Sequence, residues 1–122
     1  MNKKKILIVD DEEAFTRVVK TNLKSVYNVK VENQGNRVCD VVRDFNPDLI
    51  LMDVMMPDVD GCQVTKELKE CPFCKDIPVV FVTALVGKSK AADKKTMVND
   101  YACIAKPVSL EDLTACIEAN VK

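Results

Sequence analysis

Asp10, Asp11, Asp53, Thr83 and Lys106 stand where short apolar runs stop. Ile6-Leu7-Ile8-Val9 ends at Asp10-Asp11, and Leu49-Ile50-Leu51-Met52 ends at Asp53. Pro78-Val79-Val80-Phe81-Val82 runs into Thr83, and Ala102-Cys103-Ile104-Ala105 into Lys106-Pro107. Unbroken apolar runs of this length, bounded by turn residues, fit parallel strands buried on both faces. Open parallel sheets place their ligands outside the carboxyl ends of the strands. The five polar side chains therefore converge on one edge. Three carboxylates gathered there repel one another and bind protons more tightly unless a cation compensates. A hard divalent ion such as Mg2+ suits the task, taking carboxylate oxygens and keeping several waters. Together with Lys106 it would frame Asp53 in positive charge. That frame fits a phosphoryl group, whose transfer asks little of a protein beyond positioning and charge neutralisation. A carboxylate can be the nucleophile, giving an aspartyl phosphate. Thr83 could hydrogen-bond the added oxygens.

The elements that must hold these residues alternate along the chain. After the first strand, Phe15, Val18, Val19 and Leu23 recur at helical spacing between Glu12 and about Ser25, with acids in the first turn. Tyr27 to Glu32 alternates apolar and polar, which suits an edge strand. Val38, Val41, Val42 and Phe45 form a helical stripe that Pro47 ends. Pro57 and Gly61 close the loop behind Asp53, and a helix follows from about Gly61 to Glu70 with Val64 and Leu68 inward. Lys88 to Val98 carries a weaker helical pattern, with Ala91, Ala92 and Val98 on one side. Ser109 offers a final N-cap with Asp112 three residues on, before Leu110, Leu113 and Ile117. Strand–helix alternation repeated five times implies a parallel sheet with helices on both faces, an α/β three-layer fold. An exposed second strand belongs at an edge, which the flavodoxin-like order 2-1-3-4-5 satisfies.

Composition narrows the function. The 122 residues are expected to form one domain, with an apolar fraction of 48% and 30% charged residues. A net charge of −1 argues against direct nucleic-acid binding. No apolar run reaches membrane-span length, and Met1 to Lys5 leads straight into a strand pattern rather than a signal peptide, so the expected location is cytoplasmic. The absence of histidine excludes Ser-His and Cys-His catalysis and a Cys/His zinc site. Any phosphohistidine must belong to another molecule. Three glycines leave no G-x-G-x-x-G and no Walker loop, and acids stand where a flavin phosphate loop needs Ser, Thr or Gly.

Ile8-Val9-Asp10-Asp11-Glu12, Asp53-Val54-Met55-Met56-Pro57-Asp58-Val59-Asp60-Gly61, Thr83-Ala84 and Lys106-Pro107 occur in order. In these four pieces the chain resembles the receiver domains of two-component response regulators over nearly its whole length. The resemblance implies that Asp53 is the phosphoacceptor, and that Asp11, the Asp53 carboxylate and the Met55 backbone carbonyl hold Mg2+. It implies that Asp10 acts on the ion directly or through water, and that Lys106 contacts the phosphoryl group beside a cis Lys106–Pro107 peptide. Thr83 would be the switch hydroxyl. The implied partners are a histidine kinase or histidine phosphotransfer protein and an unknown output protein or effector domain; no output domain is visible within residues 1–122. The receiver itself would catalyse the transfer and its slow reversal by water. Met55 and Leu85, two residues beyond Asp53 and Thr83, would flank the phosphoryl group, and their apolar bulk predicts a long-lived phosphoaspartate.

Four residues depart from the pattern. Cys103 replaces the aromatic residue usual three positions before the lysine, Asn99-Asp100 stands for the customary Gly-Ala, and Val108 for an aromatic residue after the proline. These changes fall on the usual output face. Cys71-Pro72-Phe73-Cys74 is a separate feature. A C-x-x-C pair can be a redox dithiol or half of a zinc site, but no second pair completes a metal site, and a plain connecting loop is the alternative. The other four, Cys39, Cys62, Cys103 and Cys116, read as small buried hydrophobes. The rival readings are a receiver-like scaffold that is never phosphorylated and a thiol-redox protein built on Cys71 and Cys74.

Overall fold

The computed structural model describes residues 3–83, 96–98, 101–106 and 108–121. Four fully apolar residues make β3 (Leu49–Met52) a strand buried on both faces. β1 (Lys5–Val9) pairs with it on one side and β4 (Val79–Thr83) on the other, both parallel. Among the described residues β2 (Asn28–Glu32) pairs with β1 alone, and its first three positions are exposed, buried and exposed, as at an edge. Numbered in chain order, with β5 being Thr96–Val98, β6 (Tyr101–Ala105) lies parallel to β4. The parallel strands therefore run β2-β1-β3-β4-β6, the predicted flavodoxin-like order.

One expectation fails here. Thr96–Val98 does not continue a helix but forms β5, antiparallel to β6, with Thr96 opposite Cys103 and Val98 opposite Tyr101. The helical reading rests on Ala91, Ala92 and Val98 among several lysines. Thr-Met-Val is a weak helical stretch with two β-branched residues, and an adjacent strand edge offers it a ladder of hydrogen bonds. The rest of that expected helix, residues 88–95, lies outside the described residues. β6 also begins one residue earlier than expected, at Tyr101.

Alternate residues of each strand feed two cores. Leu7, Val9, Ile50, Met52 and Phe81 pack on one face under α2 (Val38–Phe45) and α3 (Gly61–Glu70). Ile6, Ile8, Leu49, Leu51, Val80 and Val82 pack on the other under α1 (Glu13–Leu23) and α4 (Leu110–Asn120). Three of the helices, α2, α3 and α4, start or stop on a local signal. Asp60 Oδ1 accepts the Cys62 N–H at the start of α3, and Ser109 Oγ accepts the Asp112 N–H at the start of α4. Asn46, with φ 55°, ends α2 in the left-handed region just before Pro47. In α1 the buried residues are Thr16, Val19 and Leu23, whereas Val18 is 59% exposed. Val18 is one helical step of about 100° from Val19, so only one of the two can face the sheet.

Candidate functional site

β1 and β3 end side by side, with Val9 in register with Met52. The Asp53 N–H donates to the Val9 carbonyl at 2.9 Å and the Asp10 N–H to the Glu32 carbonyl at 3.2 Å, so the ladder carries both aspartates to its rim. The carboxylate oxygens of Asp10, Asp11 and Asp53 lie within 4.8 Å of one another. Asp10 and Asp53 are buried, and Asp11 is exposed at the mouth. Lys106, at the end of β6, reaches the same point. Its Nζ lies 2.6 Å from Asp10 Oδ2 and 3.9 Å from Asp53 Oδ2. The convergence expected of Asp10, Asp11, Asp53 and Lys106 is thus present. Thr83 ends β4 in register with Ala105, while its side chain, Leu85 and Pro107 with its peptide lie outside the described residues.

The loop after β3 is built to approach closely. The Gly61 N–H donates to the Val54 carbonyl at 2.8 Å, and Met55 bridges Asp60 across the loop. A Cβ on Gly61 would overlap the Asp53 carbonyl oxygen, so only glycine lets α3 begin against the Asp53 backbone. Met56 is buried, while Met55 is 62% exposed and stands at the rim. The Met55 N–H donates to Asp53 Oδ1 at 3.3 Å, and the Glu12 N–H donates to Asp10 Oδ1 at 2.9 Å.

Glu12 is the residue that the sequence reading missed. Its Oε1 lies 2.7 Å from Lys106 Nζ, making it the lysine's second partner. The available signal was a third acid directly after Asp10-Asp11. The ring of Phe15, one helical turn further on, lies with its centroid 4.7 Å from the same ammonium.

The electrostatics match the geometry. Burial, then the Asp10 charge, pushes Asp53 up to about 6, against the pull of Lys106 and the Met55 N–H. Burial also raises Asp10, despite its hydrogen bonds from Lys106 and Glu12. Burial alone would lower Lys106, but its bonds to Asp10 and Glu12 outweigh it and raise the lysine. A site this rich in desolvated carboxylate holds excess negative charge that one lysine does not cancel. Its hard oxygen donors fit Mg2+ well and a soft metal poorly.

Cys103, at the position usually aromatic, is 2% exposed and packs in the same core as Phe81. Burial pushes its thiol to about 11, so it serves as the small hydrophobe expected. Cys39, Cys62 and Cys116 are half-buried against the two cores. The Cys71–Cys74 loop is less plain than expected, because Cys74 is 2% exposed and belongs to the core.

Residues 6–118 match the family model described as the response regulator receiver domain. A curated relative from Cyanophora paradoxa, the probable transcriptional regulator ycf27, is 36% identical over the whole of this chain; the chain spans 50% of that relative's length. Among solved structures, the N-terminal domain of the nisin resistance regulator NsrR superposes with a TM-score of 0.81 at 29% identity, covering 99% of this chain and 100% of that one. The Vibrio cholerae chemotaxis protein CheY4 shares the fold, with a TM-score of 0.81 at 23% identity over 96% of this chain and 98% of its own.

Proposed function

We propose that this chain, which belongs to the response regulator receiver domain family, accepts a phosphoryl group on Asp53 from a partner's phosphohistidine. The observation that carries the reading is the buried Asp53 carboxylate, set among Asp10, Asp11 and Lys106 at the sheet's carboxyl edge. Asp11, the Asp53 carboxylate and the Met55 carbonyl would hold Mg2+, with Asp10 beside them. When bound, the ion supplies neutralising charge to the phosphoryl oxygens.

The protein's own residues supply the rest. Asp53 attacks phosphorus through one carboxylate oxygen, and the bond from phosphorus to the histidine nitrogen breaks as the new one forms. Burial and the Asp10 charge raise this carboxyl in the ion-free chain, and a bound cation would favour its ionised, nucleophilic form. Lys106 turns from Glu12 toward the transferred oxygens while staying near Asp10. Thr83, at the end of β4, is assigned the hydroxyl that follows the phosphoryl group and changes the surface offered to an output partner. We place this exchange in the cytoplasm, in keeping with six cysteines held as thiols. Among the described residues, no helix is long and apolar enough to cross a membrane.

Intact mass after incubation with a small phosphodonor and Mg2+, for wild type and Asp53→Asn, tests the reading. A phosphoryl adduct on wild type alone supports it. No adduct on folded wild type with Mg2+ present would leave a receiver-like scaffold.

A further inference from the structure

At the opposite end of α3 from Asp53, the chain makes a single tight turn before β4. The N–H groups of Cys74 and Lys75 both donate to the Cys71 carbonyl at 3.0 Å, so residues 71–75 wind as one helical turn. Positions three apart in such a turn share a face, which brings the two thiols together. The two thiols lie close enough for each to shift the proton affinity of the other. Cys74 is 2% exposed, whereas Cys71 is half-buried at the surface and is followed by exposed Pro72 and Phe73. Lys69 clamps the far side of the loop, its Nζ reaching the carbonyls of Lys75 at 3.1 Å and Ile77 at 2.6 Å.

We propose that Cys71 and Cys74 are a reversible redox dithiol that closes to an intramolecular disulfide on reaction with a small-molecule disulfide. The two sulfurs have different roles. The Phe73 N–H and the Cys74 thiol donate to the Cys71 sulfur and hold it below the ordinary thiol range, with Arg43 adding a smaller pull. Burial, then the Cys71 contact, pushes Cys74 up to about 11. The accessible sulfur is therefore the attacking thiolate and the buried one the resolving thiol. Cys71 attacks one sulfur of the disulfide and expels the other half as a thiolate. That thiolate takes the proton of Cys74, whose sulfur then attacks Cys71 and releases the second half as a thiolate. The two protein sulfurs lose two electrons together, and the small disulfide is reduced to two thiols. Cys39, which packs on the same core, is raised by its own burial and by Glu67 and does not compete.

The test uses reduced protein equilibrated with reduced and oxidised glutathione, quenched by alkylation and cut after Lys69 and Lys75. The peptide Glu70 to Lys75 carries both cysteines, so ring closure appears within one peptide as the loss of two hydrogens and of both alkyl groups. That product is expected while Cys39, Cys62, Cys103 and Cys116 remain alkylated. Cys74→Ser should retain glutathione on Cys71, and Cys71→Ser should leave Cys74 unmodified. On the native wild type, Cys71 should alkylate at least ~10-fold faster than Cys74, a comparison that needs no variant to fold. Glutathione left on Cys71 of the wild type without ring closure, a Cys39–Cys71 cross-link, or equal alkylation of the two cysteines would overturn the proposal.

Discussion

Asp53→Asn should make the ion-free protein more stable at alkaline pH, because it removes a charge that the fold holds at a cost. The Asp53 carboxyl is pushed from 3.8 to about 6 in the folded chain, whereas the unfolded chain keeps the lower value. Ionising it therefore destabilises the folded state by roughly 3 kcal/mol, taking about 1.4 kcal/mol for each pKa unit. The direction follows from proton binding. Between the two pKa values the folded state binds the proton and the unfolded state does not, so wild type loses stability as pH rises through that window. Asparagine stays neutral throughout, and its side-chain oxygen can still accept the Met55 N–H. The variant should exceed wild type by roughly 3 kcal/mol at pH 8, or about 10 °C in Tm for a chain of this size. The gap should close as pH falls from about 6 toward 4. Urea unfolding in a chelating buffer at several pH values measures this directly. Added Mg2+ should narrow the gap by stabilising wild type selectively. Equal stability of the two proteins at pH 8 in chelator, or a gap that ignores pH, would refute the reasoning.

Three further outcomes follow from the same geometry. Lys106→Met removes an ammonium 3.9 Å from Asp53, an attraction of roughly 4 kcal/mol at an effective dielectric of 20. Asp53 should titrate still higher, and the pH profile of adduct formation, read by intact mass, should move to the alkaline side; an unmoved profile would show that Lys106 does not tune the nucleophile. Gly61→Ala forces a methyl group into the Asp53 carbonyl and should cost on the order of 2 kcal/mol or more in urea unfolding while slowing phosphorylation. Met55→Asn places a group able to orient water at the exposed rim, and should shorten the phosphoaspartate lifetime severalfold in Mg2+ buffer, followed by mass over time.

Much of this site is legible in the sequence because of the sheet. Strands buried on both faces read as unbroken apolar runs, and where each run breaks marks the edge at which its polar neighbour appears. That logic places Asp10, Asp53 and Lys106 together without a long-range contact being known. It fails where no such rule applies. Thr96–Val98 is too short to show a period, and its pairing with β6 decides its conformation. Val18 and Val19 look alike in a helical stripe, and only the sheet beneath chooses between them. Glu12 reaches Lys106 across 94 residues of chain. No local pattern announces such a pair. Cys74 reads as a loop residue because its pair follows a helix and precedes a strand, with a proline between the two cysteines, yet the turn tucks it into the core beside Val64 and Leu68.

The pairings of Lys106 also decide how it can serve two states. Glu12 is 61% exposed, so its ion pair with the lysine is screened by water and contributes about 1 kcal/mol or less. The Asp10 pair is different, with the carboxylate side chain 2% exposed and the lysine 14%. Breaking it would strand a buried charge, which costs several kcal/mol. The Phe15 ring beside the ammonium adds a weak attraction that keeps the head near the site whichever carboxylate it faces. Lys106 can therefore exchange its outer partner cheaply while its inner partner holds it in place. A phosphoryl group on Asp53, whose Oδ2 lies 3.9 Å from that ammonium, would compete with Glu12 and leave the Asp10 contact intact. On the proposed function, the exposed acid after Asp10-Asp11 would act as a placeholder for the lysine, weak enough to be displaced and close enough to keep the ammonium at the rim.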